Sequence, residues 1–143
     1  MYQLLYVSHA HRSLSEIELL QILKQARVNN TAKGVTGLLI YYDGSFLQLL
    51  EGEQQAVQQT YDIIAKDMRH SRINIIGTQE VEERSFADWS MGFENFNAEK
   101  LPDLEGVTSL IDAMKQTEDN RKQADPSALV GVMSKLIRLN AAG

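Results

Sequence analysis

Apolar residues alternate with polar ones, or run together in short apolar stretches, at five places in the first 93 residues, and two segments of helical spacing lie between them. Residues 2–8 read as a strand with Tyr2, Leu4, Tyr6 and Ser8 on one face and Gln3, Leu5 and Val7 on the other. Val35 to Tyr42 forms a second strand, Asp43-Gly44 a hairpin turn, and Ser45 to Glu51 the returning strand. On that third strand Phe46, Gln48 and Leu50 share a face, and Leu47, Leu49 and Glu51 share the other. Arg72 to Glu80 is a fourth strand and Phe86 to Phe93 a fifth, with Ala87, Trp89, Met91 and Phe93 on one side.

Two helices separate these strands. Ser13 or Ser15 caps the first, and Ser13-Leu14-Ser15-Glu16 has the form of a capping box. One stripe of this helix carries Leu20, Leu23 and Arg27, and a neighbouring one carries Leu19, Ile22, Ala26 and Asn29. The apolar band is therefore wide. Asn29-Asn30-Thr31-Ala32-Lys33-Gly34 should end the helix, with Asn30 suited to a C-cap. The second helix spans about Glu53 to Met68, with Val57, Tyr61, Ile64 and Met68 at helical spacing.

The order β-α-β-β-α-β-β predicts an α+β class fold, a ferredoxin-like mixed sheet with two helices on one face and one extra strand. Asn95 to Leu104 is polar, holds Pro102 and reads as a linker. Two C-terminal helices follow, about Asp103–Thr117 and Pro126–Asn140, and must pack on the sheet or on another subunit. The expected division is a domain over residues 1–95 and a linker with a helical extension over 96–143.

Composition narrows the function. There are 14 Lys and Arg against 19 Asp and Glu, a net charge of −5, which argues against a broad nucleic-acid or anionic-membrane surface. The absence of cysteine excludes thiol catalysis, disulfides and cysteine metal sites. No signal peptide precedes the first strand and no apolar run spans a bilayer, so a cytoplasmic protein is expected. No glycine-rich phosphate loop lies between a strand and a helix. His9-Ala10-His11 reads as an exposed loop rather than a metal site, and Glu51 and Glu53 as a solvated turn.

What remains is a set of polar residues in semi-buried positions. Gln48 stands in the middle of an apolar face, and a buried amide left unpaired costs about 1–3 kcal/mol per orphaned group. Tyr6, Asn29, Asn30, Arg69 and His70 are each explicable alone, as a core tyrosine, helix-end amides and charge at a helix C-terminus. Together they outline a slot. Both helices lie on one side of the sheet, so a flat ring can slide between them, with Ile22 and Ile64 as apolar jaws and Gln48 and Tyr6 beneath.

The chain resembles the BLUF family, sensors of blue light using FAD, over about residues 1–95. The resemblance rests on Leu4-Leu5-Tyr6-Val7-Ser8, on Asn29-Asn30-Thr31-Ala32-Lys33-Gly34-Val35-Thr36-Gly37-Leu38-Leu39 and on Phe46-Leu47-Gln48-Leu49-Leu50-Glu51-Gly52-Glu53. Asp67-Met68-Arg69-His70 and Phe86-Ala87-Asp88-Trp89-Ser90-Met91 complete it. It implies that Tyr6 donates an electron and a proton to the excited flavin and that Gln48 lies between the tyrosine and the flavin edge. Asn30, with Asn29 beside it, would hydrogen-bond the ring, and Ile22 and Ile64 would sandwich it. Arg69, His70 and Asp67 would line the flavin, and Trp89 and Met91 would relay the switch from the last strand. The cofactor implied is FAD, although the ring contacts are shared by FMN and riboflavin. The short subclass it resembles signals through a partner protein without turnover of its own, and a homo-oligomer is expected. Two alternatives use the same fold: an acylphosphatase-like hydrolase and a flavin-free interaction module.

Overall fold

The computed structural model describes residues 1–12, 14–67, 70–96, 101–102, 104–115 and 125–142, with backbone only for 70, 71 and 137–142. Five strands form one sheet in the order β4-β1-β3-β2-β5. They are β1 (Tyr2–Ala10), β2 (Thr36–Tyr42), β3 (Ser45–Gly52), β4 (His70–Glu80) and β5 (Gly92–Asn95). Pairing is antiparallel except between β2 and β5, which run parallel. The helices are α1 (Glu16–Lys33), α2 (Gln54–Ala65), α3 (Val107–Lys115) and α4 (Pro126–Ala142). The expected ferredoxin-like α+β architecture with an added strand is what the chain adopts.

Strand alternation sorts the core into two layers. Leu4, Tyr6, Leu39, Phe46 and Leu50 face α1 and α2, where Leu19, Leu23 and Val57 meet them. Leu5, Val7, Leu38, Ile40, Leu47 and Leu49 face the other way and are covered by Leu110, Met114, Leu129 and Met133 of α3 and α4. The C-terminal helices thus lie on the sheet face left bare by the first two. Their seating depends on small residues. A Cβ on Gly77 of β4 would stand 2.4 Å from Pro126 Cγ, and one on Gly106 would stand 2.4 Å from Val132 Cγ2.

Several boundaries differ from expectation for identifiable reasons. The capping box at α1 is formed by Ser15 and Glu18, whose side chains and backbone N–H groups bond reciprocally. Helix α1 does not stop at Asn29. It runs on to Lys33 and is closed by Gly34, which adopts φ 69° and donates to the Asn30 and Thr31 carbonyls. Asn30 is accordingly an interior helical residue rather than a cap. The buried stripe of α1 is narrow, holding Leu19 and Leu23, while Ile17, Leu20 and Val28 are exposed. Helix α3 starts at Val107, after the turn at Gly106 with φ 94°, not at Asp103, which with 116–117 lies outside the described residues. Met68 also lies outside them.

The largest correction concerns residues 86–91, which are not strand. Only Gly92–Asn95 pairs with β2. The alternation in this stretch arises because it crosses from one core layer to the other: Phe86 belongs to the α3/α4 side and Met91 to the α1/α2 side. Its carbonyls bond to Gly37 N at the start of β2 and to side chains of α1, as the site geometry below describes.

Candidate functional site

A cleft opens between α1 and α2 over the floor made by β1, β3 and β2. It is open to solvent at its mouth and mostly apolar within, the general form of a small-molecule site. Ile22 and Ala26 of α1, Ile63 and Ile64 of α2, and Leu39 and Phe46 of the sheet give it an apolar lining. Tyr6, Ser8, Gln25, Asn29, Gln48 and Asp67 bring polar groups to the same space. An apolar slot between two helices with polar groups around it suits a flat heteroaromatic ring bearing carbonyl and N–H edges, and the isoalloxazine of a flavin is such a ring.

Strand register makes the centre of the floor. Tyr6 and Gln48 are direct cross-strand partners, and Leu39 is the partner of Gln48 on its other side. Both polar residues are nearly fully buried. The Tyr6 hydroxyl donates to Gln48 Oε1, and Gln48 Nε2 donates to Met91 Sδ at 3.4 Å. Sulfur is a weak acceptor, so one end of the amide is held firmly and the other loosely. Tyr61 of α2 packs edge-on to Tyr6 with ring centroids 5.5 Å apart. Burial raises the Tyr6 pKa far above the usual phenol value, and the nearby Tyr61 and Asp67 push the same way. Tyr6 is therefore a phenol that stays protonated as a simple acid.

The segment before β5 is tied to this floor through its backbone. The Trp89 carbonyl accepts from Gly37 N at 3.0 Å. The Ser90 carbonyl accepts from Asn30 Nδ2 at 2.8 Å, and the Met91 carbonyl accepts from Arg27 Nε at 3.0 Å. Three successive carbonyls are thus held by β2 and α1.

Of the residues singled out from sequence, Tyr6, Ile22, Asn29, Gln48, Ile64 and Asp67 line the cleft together. Asn29 Oδ1 accepts from Gln25 Nε2 at 3.1 Å. Asn30 is not among the lining side chains; it is buried and spends its amide on Ser90. Met91 touches Gln48, but Trp89 packs on the α3/α4 layer, so the two do not share a strand face as expected. Arg69 lies outside the described residues, and of His70 only the backbone, paired with Ala10, is described. Among the additional lining residues, Ser8 follows from its place on the Tyr6 face, and Gln25 and Ala26 from standing one turn beyond Ile22. Phe46 follows from sharing the Gln48 face, whereas Leu39 needed the register.

Two further readings are corrected. Glu51 is not in a solvated turn: it is fully buried on the face opposite the cleft, whereas Glu53 is exposed at the start of α2. β1 persists through Ala10, and His9 is half-buried with Nδ1 2.8 Å from Ser45 Oγ. Among the described residues no group of three or more His, Asp or Glu is placed to hold a metal, and no helix is long and apolar enough to cross a membrane.

A family model described as "Sensors of blue-light using FAD" matches residues 1–92. The photoactivated adenylate cyclase subunit beta of Euglena longa is 34% identical over 89 residues, covering 62% of this chain and 10% of that protein. The corresponding subunit alpha of Euglena gracilis is 34% identical over 111 residues, covering 76% of this chain and 11% of that protein. The chain spans only about a tenth of the length of these curated relatives. Among solved structures, one titled "BlrB - a BLUF protein, dark state structure" superposes with a TM-score of 0.75 at 25% identity, covering 97% of this chain and 96% of that one. "BlsA photo-activated state" gives 0.73 at 29% identity, covering 95% and 94%.

Proposed function

The chain belongs to the BLUF family of flavin-binding blue-light sensors, and from that premise we propose that it is a photoreceptor in which Tyr6 and Gln48 form the switch. The observation that carries this reading is the Tyr6–Gln48 hydrogen bond at the floor of an apolar cleft between Ile22 and Ile64. The proposed cofactor is FAD, held by Ile22, Ile64, Asn29, Gln48 and Asp67, with Asn30, Arg69 and His70 as the further contacts that the resemblance suggests.

Bound flavin supplies a ring that absorbs blue light and becomes a strong one-electron oxidant. Tyr6 keeps its proton as an acid, so it gives up that proton only together with an electron. Its hydroxyl donates to Gln48 Oε1. An amide presents a donor at one end and an acceptor at the other. Turning it, or moving a proton through it, exchanges which neighbour each end serves and breaks the Nε2–Met91 contact. Release of Met91 alters a segment whose next residues form β5 and whose preceding ones pack on α3 and α4. Residues 1–95 then act as the sensor and 96–143 as the extension that passes the change on. The output is contact with a downstream protein by a homo-oligomer in the cytoplasm, with no turnover by this chain.

Absorption spectra of flavin-loaded protein, taken in the dark and just after blue light, test the reading. A small red shift that relaxes in the dark is expected for the native chain, and none for Tyr6→Phe or Gln48→Leu with flavin still bound. A normal shift in either variant refutes the assigned switch. A native protein that only bleaches refutes the sensor reading itself.

A further inference from the structure

We infer that Glu51 is a positioning residue: its buried carboxylate clasps the start of the 85–91 segment and so sets where Met91 meets Gln48. The inference rests on the switch reading above for its functional meaning, but the clasp itself is a matter of geometry.

Glu51 is 0% exposed, yet it has four donors. Its Oε1 accepts from Phe86 N at 2.6 Å and from Thr36 Oγ1 at 3.0 Å. Its Oε2 accepts from Ser85 N and from Gln3 Nε2, each at 2.9 Å. Neighbours fix the direction of the side-chain donors. Gln79 Nε2 donates to Gln3 Oε1 at 2.8 Å, which turns the Gln3 amide toward Glu51. Arg84 Nη1 donates to Thr36 Oγ1 at 2.9 Å, which leaves the threonine proton for Glu51. Four donors fill the acceptor capacity of a carboxylate, and each of its oxygens faces one backbone N–H that cannot accept in return.

Two of those donors belong to the backbone of the crossing segment, and from there a line of bonds leads to the cleft. Phe86 N is held by Glu51, the Phe86 carbonyl accepts from Trp89 N at 3.0 Å, and the Trp89 carbonyl accepts from Gly37 N. Asn30 and Arg27 hold the next two carbonyls. Arg84 anchors the same entry by donating to the Gly34 and Glu51 carbonyls at 2.7 and 3.3 Å. Gln48 and Glu51 are three residues apart on β3 and point to opposite faces. One strand therefore carries the switch amide on the cleft side and, on the far side, the anchor of the segment that the amide touches.

Glu51→Gln tests this at nearly constant size. In either orientation the new amide NH2 faces a backbone N–H, of Phe86 or of Ser85, and orphans it, which should raise the population of displaced segment roughly tenfold or more. Two readouts on the flavin-free protein need no light. Trp89 is the only tryptophan, so acrylamide quenching of its fluorescence reports this segment, and a methyl-labelled methionine spectrum reports Met91, assigned through Met91→Leu. The expected result is quenching raised by about twofold, as a buried backbone N–H is orphaned, together with a displaced Met91 resonance and an unchanged far-ultraviolet dichroism spectrum. A purely structural role would lower the unfolding midpoint and leave the Met91 resonance of the folded protein in place. Unchanged quenching or an unchanged Met91 resonance overturns the inference. If Glu51→Gln does not fold, Thr36→Val, which removes one donor and keeps the carboxylate, must move both readouts in the same direction by less, and no movement overturns the inference. Failure of the light-induced shift in the native chain would overturn the switch reading and leave these measurements decisive for the clasp.

Discussion

The Tyr6–Gln48 bond is open to a quantitative test that needs neither flavin nor light. Tyr6→Phe removes a hydroxyl and leaves Gln48 Oε1 without its donor at a site where the residue is 4% exposed. An orphaned buried group costs about 1–3 kcal/mol, and the phenylalanine no longer has a hydroxyl to desolvate, so a net loss of about 1–2 kcal/mol is expected. Gln48→Leu orphans the Tyr6 hydroxyl instead and also gives up the weak Met91 contact, for a loss of similar size. The double variant removes both partners together and leaves nothing orphaned, so it should be less destabilised than the two losses combined, by about 1 kcal/mol or more. Urea unfolding followed by far-ultraviolet dichroism is the assay. At a slope of about 2 kcal/mol per molar urea, the middle of the usual range, each single variant lowers the midpoint by roughly 0.5–1 M. Losses that add to within about 0.5 kcal/mol would refute the claim that these two groups satisfy each other.

Other consequences are simpler to read. A Cβ at position 37 would stand 1.9 Å from the Leu49 carbonyl oxygen, so Gly37→Ala should displace β2 from β3 and unfold the domain well before the native chain in a thermal scan. Gly77→Ala should wedge Pro126 off β4 and loosen α4, costing about 1–3 kcal/mol by overpacking and raising protease cleavage near residue 126. Glu18, bound by Arg12 and by the Ser15 backbone, has its pKa lowered from 4.5 to about 2. Its folded value is depressed, so the stability it adds is present above pH 4.5 and is lost as pH falls toward 2. Glu18→Gln should flatten unfolding midpoints across that window. Glu94 has its pKa raised by partial burial, with Oε1 unpartnered. Its contribution is therefore present at low pH and lost as pH rises through the folded value, a trend that Glu94→Gln should abolish.

The sequence carried the architecture because alternation and helical spacing each point one way here. The faces of β1 and β3 came out as expected, and with them the meeting of Tyr6 and Gln48. Asn30 and Trp89 show where such reasoning stops. A run of Asn-Asn-Thr before Gly34 has the composition of a helix end, yet a tertiary partner, the Ser90 carbonyl, keeps Asn30 inside the helix. Residues 86–93 alternate as a strand does, yet they alternate because the chain passes around the sheet edge between two cores. Glu51 shares a strand face with Leu47 and Leu49, but nothing near it in sequence shows what would satisfy a buried carboxylate, since its four donors come from Gln3, Thr36 and the backbone of residues 85 and 86. Contacts so distant in sequence are not written in any window of the chain.

The strand order has a consequence for how the molecule opens. β1 and β3, which bear Tyr6 and Gln48, each have a strand on both sides and helices above and below. β5 is an edge of four residues with a single neighbour. Local opening is cheapest where few bonds must break. Amide protons of β3 should therefore exchange with solvent only in global unfolding, while those of β5 exchange through small excursions at the margin. The floor on which the side chains rearrange is the stiffest part of the domain, and the yielding part is the edge onto which Met91 leads.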